Sequence, residues 1–554
     1  MKGWSKTSKA ILSVAFVYRV LFAFKHRQMG IDGGYFFEIA QNVASGLGLS
    51  SRLSLYHMGA TPLPAPTSVY PLWPWLLGNL GKVFPLDVLA WALPTMLSIA
   101  TLLLLHGLGR KLWSGKLKLG PIELGGPELA MGLYAFNPLL FIVTARPYTE
   151  ALTFFLLTLA MLRLHRLEYA ICKSESAVSV WRLSLEIGLL FGLSVLSRSQ
   201  SIVALGALGI TGFIKFLQAE RMHKFRWVAA GGIIATLSST VLVGRWWSIR
   251  QSFPDAPLTA LVNFSHSTDT SPLSGLPFWV EHENLIDTLR AKLSGLAVAY
   301  NPWDTESYYW AFSIIPWLIG LLFPIGFNKQ SRTEILSKLS RVSLLHCFIV
   351  VFGVLSFVSL HLAQKTYFSE WHFGRRHALP LLYSWMLLLA VGLRYSRVRL
   401  QKVLFFFICL GLLDGLRYAH WSTYRAYTKD PVYFEPSRQG LVEWLRSRQS
   451  ISDRPLTVAF DHNEGQRLIW AIPKMNGRWI YWNTTLKDLE LMRDTLGLDL
   501  LVSLNKDYTD KMAKGPARYR SSERAFAEAF EEIEHALEGY RVYQPRSIIK
   551  TDKQ

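Results

Sequence analysis

Hydrophobic positions along this chain gather into long runs rather than short alternating stretches. A helix needs around 20 mostly apolar residues to cross a bilayer. Runs of about that length fall at approximately 8–25, 86–109, 128–146, 148–164, 184–198, 200–217, 227–247, 307–327, 343–363, 377–394 and 402–419. The pattern predicts a polytopic α-helical membrane protein with about 11 spans. Basic residues cluster between alternate runs: Arg110, Lys111, Lys116 and Lys118; Arg163, Arg166, Lys173 and Arg182; Lys215, Arg221, Lys224 and Arg226. Two further clusters are Lys329, Arg332, Lys338 and Arg341, then Arg394, Arg397, Arg399 and Lys402. The positive-inside rule places these loops and the N-terminus in the cytoplasm and the C-terminal tail outside.

That alternation holds only if a further apolar stretch, VYPLWPWLLGNLGKVF at 69–84, does not cross. Its Pro71, Pro74, Trp73 and Trp75 suit a helix lying at the outer interface. The first outer loop is then long, 26–85, and opens with IDGGYFFEIAQNVASGLGLS, which carries Asp32 and Glu38 on an amphipathic helix. Other outer segments are the tight turn Arg146-Pro-Tyr-Thr-Glu150, the loop 248–306, and QKTYFSEWHFGRR at 364–376.

Beyond 419 the apolar runs stop, which divides the chain into a membrane domain, 1–419, and a soluble extracytoplasmic domain, 420–554. Strand-like runs at 456–460, 478–482 and 499–504 alternate with helix-like runs at 437–448, 486–496 and 522–538. A small α/β domain is expected.

Composition agrees: 51% of the residues are apolar and 20 are Trp. The formal charge of +20 raises the question of nucleic acid. The tail holds 21 Lys and Arg against 19 Asp and Glu, so the excess lies in the membrane part, where it follows the loops. No basic-aromatic stripe accompanies it, and nucleic acid is excluded as a partner. Cys172, Cys347 and Cys409 are far apart and show no metal or disulfide spacing. Lys2, Lys6 and Lys9 precede the first apolar run as in a signal peptide, but Lys25, His26 and Arg27 follow it without a small-residue cleavage site, so an uncleaved anchor is expected.

Asp32 and Glu150 fall on the same side of the membrane. A carboxylate pair there would deprotonate an acceptor hydroxyl or hold a divalent cation such as Mg²⁺ or Mn²⁺. The bland alternative is that each only caps a helix. Arg375 and Arg376, flanked by His372 and His377, form a second cluster, and paired guanidiniums suit a phosphate, with snorkelling anchors as the alternative. Arg146 and Lys365 are weaker candidates of that kind, and Arg198 is read equally as an ion-pair or a ligand residue. His57, His266, Asp269, Glu281, His282 and Glu283 match no ligand motif. Tyr148 is expected to be an interfacial aromatic.

Taken in order, these residues resemble the GT-C superfamily of integral-membrane glycosyltransferases, which includes protein O-mannosyltransferases and aminoarabinose transferases. The resemblance rests on Asp32, Tyr35, Ala40 and Gly46 in an Asp-x-x-Tyr-x-x-x-x-Ala rhythm, TSVYPLWPWLLG, and NPLLFIVTARPYTEALTFF with Glu150 at the second acidic position. GLSVLSRSQSIVAL with its Leu-x-Arg, and RRHALPLLYSWMLLLAVGL with its Arg-x-x-x-Pro, complete it over roughly 8–419. Two departures are Gly33, where an acidic neighbour of Asp32 is usual, and Glu rather than Asp at 150.

The resemblance implies transfer of a sugar from a polyprenyl-phosphate-linked donor to a glycan, lipid or protein acceptor at the extracytoplasmic membrane face. Asp32 would be the base or a metal ligand, Glu150 would assist it, and Arg375, Arg376, His377, Arg146 and Lys365 would bind the lipid phosphate. A bacterial inner membrane is the expected setting, and an archaeal plasma membrane or endoplasmic reticulum would have the same topology. Two other readings are a transporter or flippase of lipid-linked sugar and a non-catalytic assembly protein. The absence of internal repeats argues against the first, and the carboxylate pair is left unexplained by the second.

Overall fold

The computed structural model describes residues 4–25, 30–52, 65–66, 70–119, 122–252, 343–362, 379–395, 398–428, 436–460, 468, 472, 474–479, 493–494, 497–504, 528–533 and 540–546. The expected span 307–327, most of the loop 248–306, and Lys365, Arg375, Arg376 and His377 lie outside the described residues. So do His57, His266, Asp269, Glu281, His282 and Glu283.

The first helix, α1 (Lys6–Lys25), buries Ile11, Ala15, Arg19 and Phe22 on one stripe and leaves Phe16, Val17, Val20 and Leu21 open on the other. Next come α2 (Gly30–Ala44) and α3 (Leu72–Gly81), joined through a two-residue ladder of β1 (Ser50–Ser51) and β2 (Ala65–Pro66). A β-carbon at Gly78 would lie 2.6 Å from the Ala40 carbonyl oxygen, so only glycine lets α3 approach α2 this closely. The stretch 69–84, read as an interfacial helix, contains the helix α3, which is shorter at both ends.

The bundle continues with α4 (Leu86–Leu112), a hairpin of β3 (Lys116–Leu119) and β4 (Ile122–Gly125), and α5 (Gly126–Phe136). Gly109 and Gly126 bring α4 and α5 into backbone contact: a β-carbon on Gly126 would sit 2.1 Å from the Gly109 oxygen. The expected single span 128–146 is instead two helices, because Asn137 is extended and caps α6 (Pro138–Thr144) with its side chain. Hydropathy counts apolar residues and does not register that Pro138 lacks the N–H that would continue the helix.

The next helices, α7 (Glu150–Cys172) and α8 (Ala177–Ser197), extend beyond the expected 148–164 and 184–198. The added turns mix apolar and charged residues: Arg166 in the added end of α7 meets Glu175 in the linker at 2.8 Å, and Arg163 ties α7 to Glu186 of α8 at 2.9 Å. Charges end a hydropathy window without ending a helix. α9 (Ile202–Gln218) and α10 (Arg221–Ser252) follow, then α11 (Leu344–Leu362), α12 (Leu379–Tyr395) and α13 (Val398–Thr428). Among the described residues, Lys6–Phe24, Leu86–Leu112, Ala177–Ser197 and Arg221–Trp247 are each long and apolar enough to cross a membrane.

The tail contains α14 (Pro436–Ile451) and a five-stranded sheet of β5 (Leu456–Phe460), β6 (Met475–Trp479), β7 (Leu500–Leu504), β8 (Phe530–Glu532) and β9 (Tyr540–Pro545), in the order β6-β5-β7-β9-β8. β5 runs parallel to β6 and β7, whereas β9 is antiparallel to β7 and β8. The expected helix at 522–538 contains β8, because pairing of Phe530 with Pro545 overrides the local helical pattern. Leu441 and Leu445 of α14 join Val458, Phe460 and Val502 of the sheet in one apolar cluster that also contains Phe36, Ile39, Trp73 and Leu77. The sheet thus sits at the end of the bundle that carries α2 and α3.

Candidate active site at the α2–α3 end of the bundle

Asp32 lies in the first turn of α2, half-buried. A carboxylate there faces the positive end of the helix dipole. Its neighbour Gly33 rests on the turn between α6 and α7: a β-carbon at Gly33 would be 3.1 Å from Tyr148 Cε1 and 3.2 Å from Pro147 Cγ. That turn is tight, with the Tyr148 N–H donating to the Arg146 carbonyl at 2.7 Å. It is gripped from α3, where the fully buried Trp73 donates its indole N–H to the Pro147 carbonyl at 3.0 Å. Tyr148, expected at an interface, is buried beneath α2.

Glu150 begins α7 fully buried, and Arg198 Nη1 donates to its Oε1 at 2.5 Å. Arg198 stands where α8 gives way to a short 3₁₀ turn, and its Nε donates to Gln200 Oε1 at 2.5 Å. Beside it, Ser197 Oγ donates to the Thr149 carbonyl at 3.2 Å, so the end of α8 clasps the start of α7. The structure therefore brings the segments of Asp32 and Glu150 together through Gly33 and Tyr148, and it gives Glu150 a guanidinium partner. Of the two sequence readings of Arg198, the ion pair is the arrangement observed.

The other acid of the first loop, Glu38, is engaged locally. It accepts from Asn42 at 2.8 Å, Ser51 at 2.7 Å, and the Arg52 backbone N–H and Nε at 2.9 and 3.1 Å. These bonds tie β1 back onto α2.

Two buried cations escaped the sequence reading. Arg245, 5% exposed, lies near the end of α10 within electrostatic reach of Tyr70. Tyr70 sits just before α3 with φ of 42° and packs edge-on to Phe36 at 5.9 Å. Close contacts of Gly188 with Ile234 and Gly192 with Val241 align α8 and α10 in parallel, which puts Arg245 at the same end as Arg198. The second is Arg19, fully buried in α1. Both stand inside apolar runs, VAFVYRVLF and VLVGRWWS, where an ionisable residue is itself a signal. Arg146 is half-buried in the turn.

A divalent ion takes several oxygen ligands. No group of three or more His, Cys, Asp or Glu gathers among the described residues. Glu150 Oε1 already meets a guanidinium, so among the described residues a cation at this site would draw its carboxylate oxygens from Asp32 and from Glu150 Oε2 alone.

No protein-family model matches the chain, and no curated protein matches it in sequence. Solved structures do. ArnT from Cupriavidus metallidurans bound to undecaprenyl phosphate aligns over 96% of this chain and 97% of its own, with a TM-score of 0.57 and 10% identity. The apo form of the same protein aligns over 97% and 98%, with a TM-score of 0.55 and 11% identity. The archaeal oligosaccharyltransferase AglB from Archaeoglobus fulgidus, in complex with an inhibitory peptide and a dolichol-phosphate, aligns over 92% of this chain and 71% of its own, at 0.49 and 13%. At such identities the likeness to ArnT is one of fold alone: this chain has the fold of ArnT, a polytopic helical membrane fold.

Proposed function

We propose that the protein is a membrane glycosyltransferase moving a sugar from a polyprenyl-phosphate donor to an acceptor hydroxyl on a glycan, lipid or protein. The observation that carries this reading is the fold of ArnT across nearly the whole chain with Asp32 in the first turn of α2, beside the Gly33–Tyr148 contact. One ArnT structure of the same fold was determined with undecaprenyl phosphate bound.

In this reading Asp32 takes the acceptor proton as the acceptor oxygen attacks the anomeric carbon, and the bond from that carbon to the lipid phosphate oxygen breaks. General-base help of this kind contributes ~10²- to 10⁴-fold. Arg245 and Arg146 lie at the same end and stabilise the departing phosphate, joined by Arg375, Arg376, His377 and Lys365 as read from the sequence. Guanidinium forks suit phosphate oxygens because they donate two parallel bonds. Glu150, neutralised by Arg198, shapes the turn beneath Asp32, and no step passes through a metal.

The α2–α3 end is then the outer face, the N-terminus is cytoplasmic, and 420–554 is an extracytoplasmic domain beside the active site. The alternating basic loops support this sidedness, with a bacterial inner membrane as the setting. The test is release of polyprenyl phosphate from a panel of polyprenyl-phosphate sugars by the protein in nanodiscs. Release that depends on one sugar and vanishes in Asp32→Asn supports the reading. No release from any donor, with folded protein and a range of acceptors present, sinks it.

A further inference from the structure

A lone guanidinium in a membrane span is costly unless its donors are satisfied and its charge is delocalised. Arg19 sits on the buried stripe of α1 beside the break between α5 and α6. In a continuous helix the Tyr134 carbonyl would accept from the N–H of residue 138. Residue 138 is proline and has none. Arg19 Nη2 supplies the missing donor, lying 3.2 Å from the Tyr134 oxygen and 3.4 Å from the Ala135 oxygen. Its Nη1 donates to Thr144 Oγ1, on the far side of the break, at 2.5 Å. The rings of Tyr134 in α5 and Phe141 in α6 each lie 5.4 Å from its Cζ. A positive charge at the carboxyl end of α5 also faces the negative end of that helix dipole.

One side chain therefore touches both half-helices and sets the angle between them. Thr144 is the last residue of α6, and the turn that follows carries Pro147 and Tyr148 onto Gly33. We infer that Arg19 is a positioning residue, a side-chain substitute for the backbone donor lost at Pro138, which places the Pro147–Tyr148 turn under Asp32. The inference rests on the role proposed above for Asp32, but its structural half has a readout of its own.

The experiment compares Arg19→Met, Arg19→Lys and the double variant Arg19→Met with Pro138→Ala, each as full-length protein in nanodiscs. The proline change offers an N–H at 138 and lets α5 run on into α6. Hydrogen exchange over 30–40 and 138–150 is measured beside thermal stability and sugar transfer. Arg19→Met is expected to speed exchange in both segments and cut kcat by about 10²-fold, the scale of loss expected from a misplacement of roughly 1 Å. Arg19→Lys, with its charge kept and its fork lost, should fall between. The double variant should recover thermal stability but not kcat, because a continuous helix carries the turn elsewhere.

Unchanged exchange in both segments would overturn the inference. Recovery of full kcat by the double variant would do so too, since Arg19 would then be only a stabilising group. Should Arg19→Met fail to fold, Arg19→Lys carries the same comparison. If the unmodified protein transfers no sugar, the functional reading fails while exchange still decides what Arg19 does.

Discussion

Glu150 and Arg198 form a buried ion pair, Oε1 to Nη1 at 2.5 Å, that joins the first residue of α7 to the end of α8. The pair lies directly behind the turn that supports α2, so its loss is felt at Asp32. Removing one partner of a buried pair leaves a charge with no counter-ion, typically at about 3–5 kcal/mol, whereas replacing both with apolar groups of similar volume is often close to neutral. Glu150→Ala is therefore expected to be markedly less stable in detergent than Glu150→Leu combined with Arg198→Met. Equal melting temperatures for the two variants would show that the pair does not hold the turn.

Asp32→Asn keeps the shape of the side chain and removes its basicity. Turnover is expected to fall ~10²- to 10⁴-fold while thermal stability stays near that of the parent. Full turnover in this variant would remove Asp32 from the mechanism. Treatment with EDTA is expected to leave transfer by the parent intact if Asp32 acts as the base, since Arg198 already neutralises Glu150. Loss on chelation with recovery on adding Mg²⁺ or Mn²⁺ would restore the metal-ligand role.

A β-carbon on Gly33 would sit 3.1 Å from Tyr148 Cε1 and 3.2 Å from Pro147 Cγ, close enough that the turn must give by a few tenths of an ångström. Both obstacles are side chains, so Gly33→Ala should fold with a small shift of the turn and lose about tenfold in kcat/KM. Gly33→Val should lose much more. Combining Gly33→Ala with Tyr148→Leu, which opens space under the new methyl, is expected to recover part of the loss. A kinetic profile unchanged in Gly33→Val would show that the spacing of α2 from the turn is immaterial.

Arg245→Ala removes a buried cation from the end of α10 beside Tyr70. If it holds the donor phosphate, the KM for donor should rise on the order of tenfold or more, with the KM for acceptor little changed. Arg245→Lys should fall between, since an ammonium keeps the charge without the fork. Equal losses toward donor and acceptor would point to packing instead.

The chain itself determined that this is a helical membrane protein, where most of its described apolar helices lie, that the stretch at 69–84 holds a short helix, and that Asp32 and Glu150 open helices that follow apolar runs. All of these follow from local hydropathy, loop charge and helix signals within about 20 residues. β5 and β7 were legible for the same reason, as runs of β-formers bounded by polar turns. The tertiary structure decided what no local window holds. It split 128–146 at Asn137 and Pro138, a break made tolerable by Arg19 from another helix more than 110 residues away. It turned part of 522–538 into β8 because β9 offered a partner. It joined Glu150 to Arg198 across 48 residues and brought Arg245 to Tyr70. Each of these is a long-range electrostatic or hydrogen-bonding choice, made when a buried charge or an orphaned backbone group has to find a partner inside the bundle.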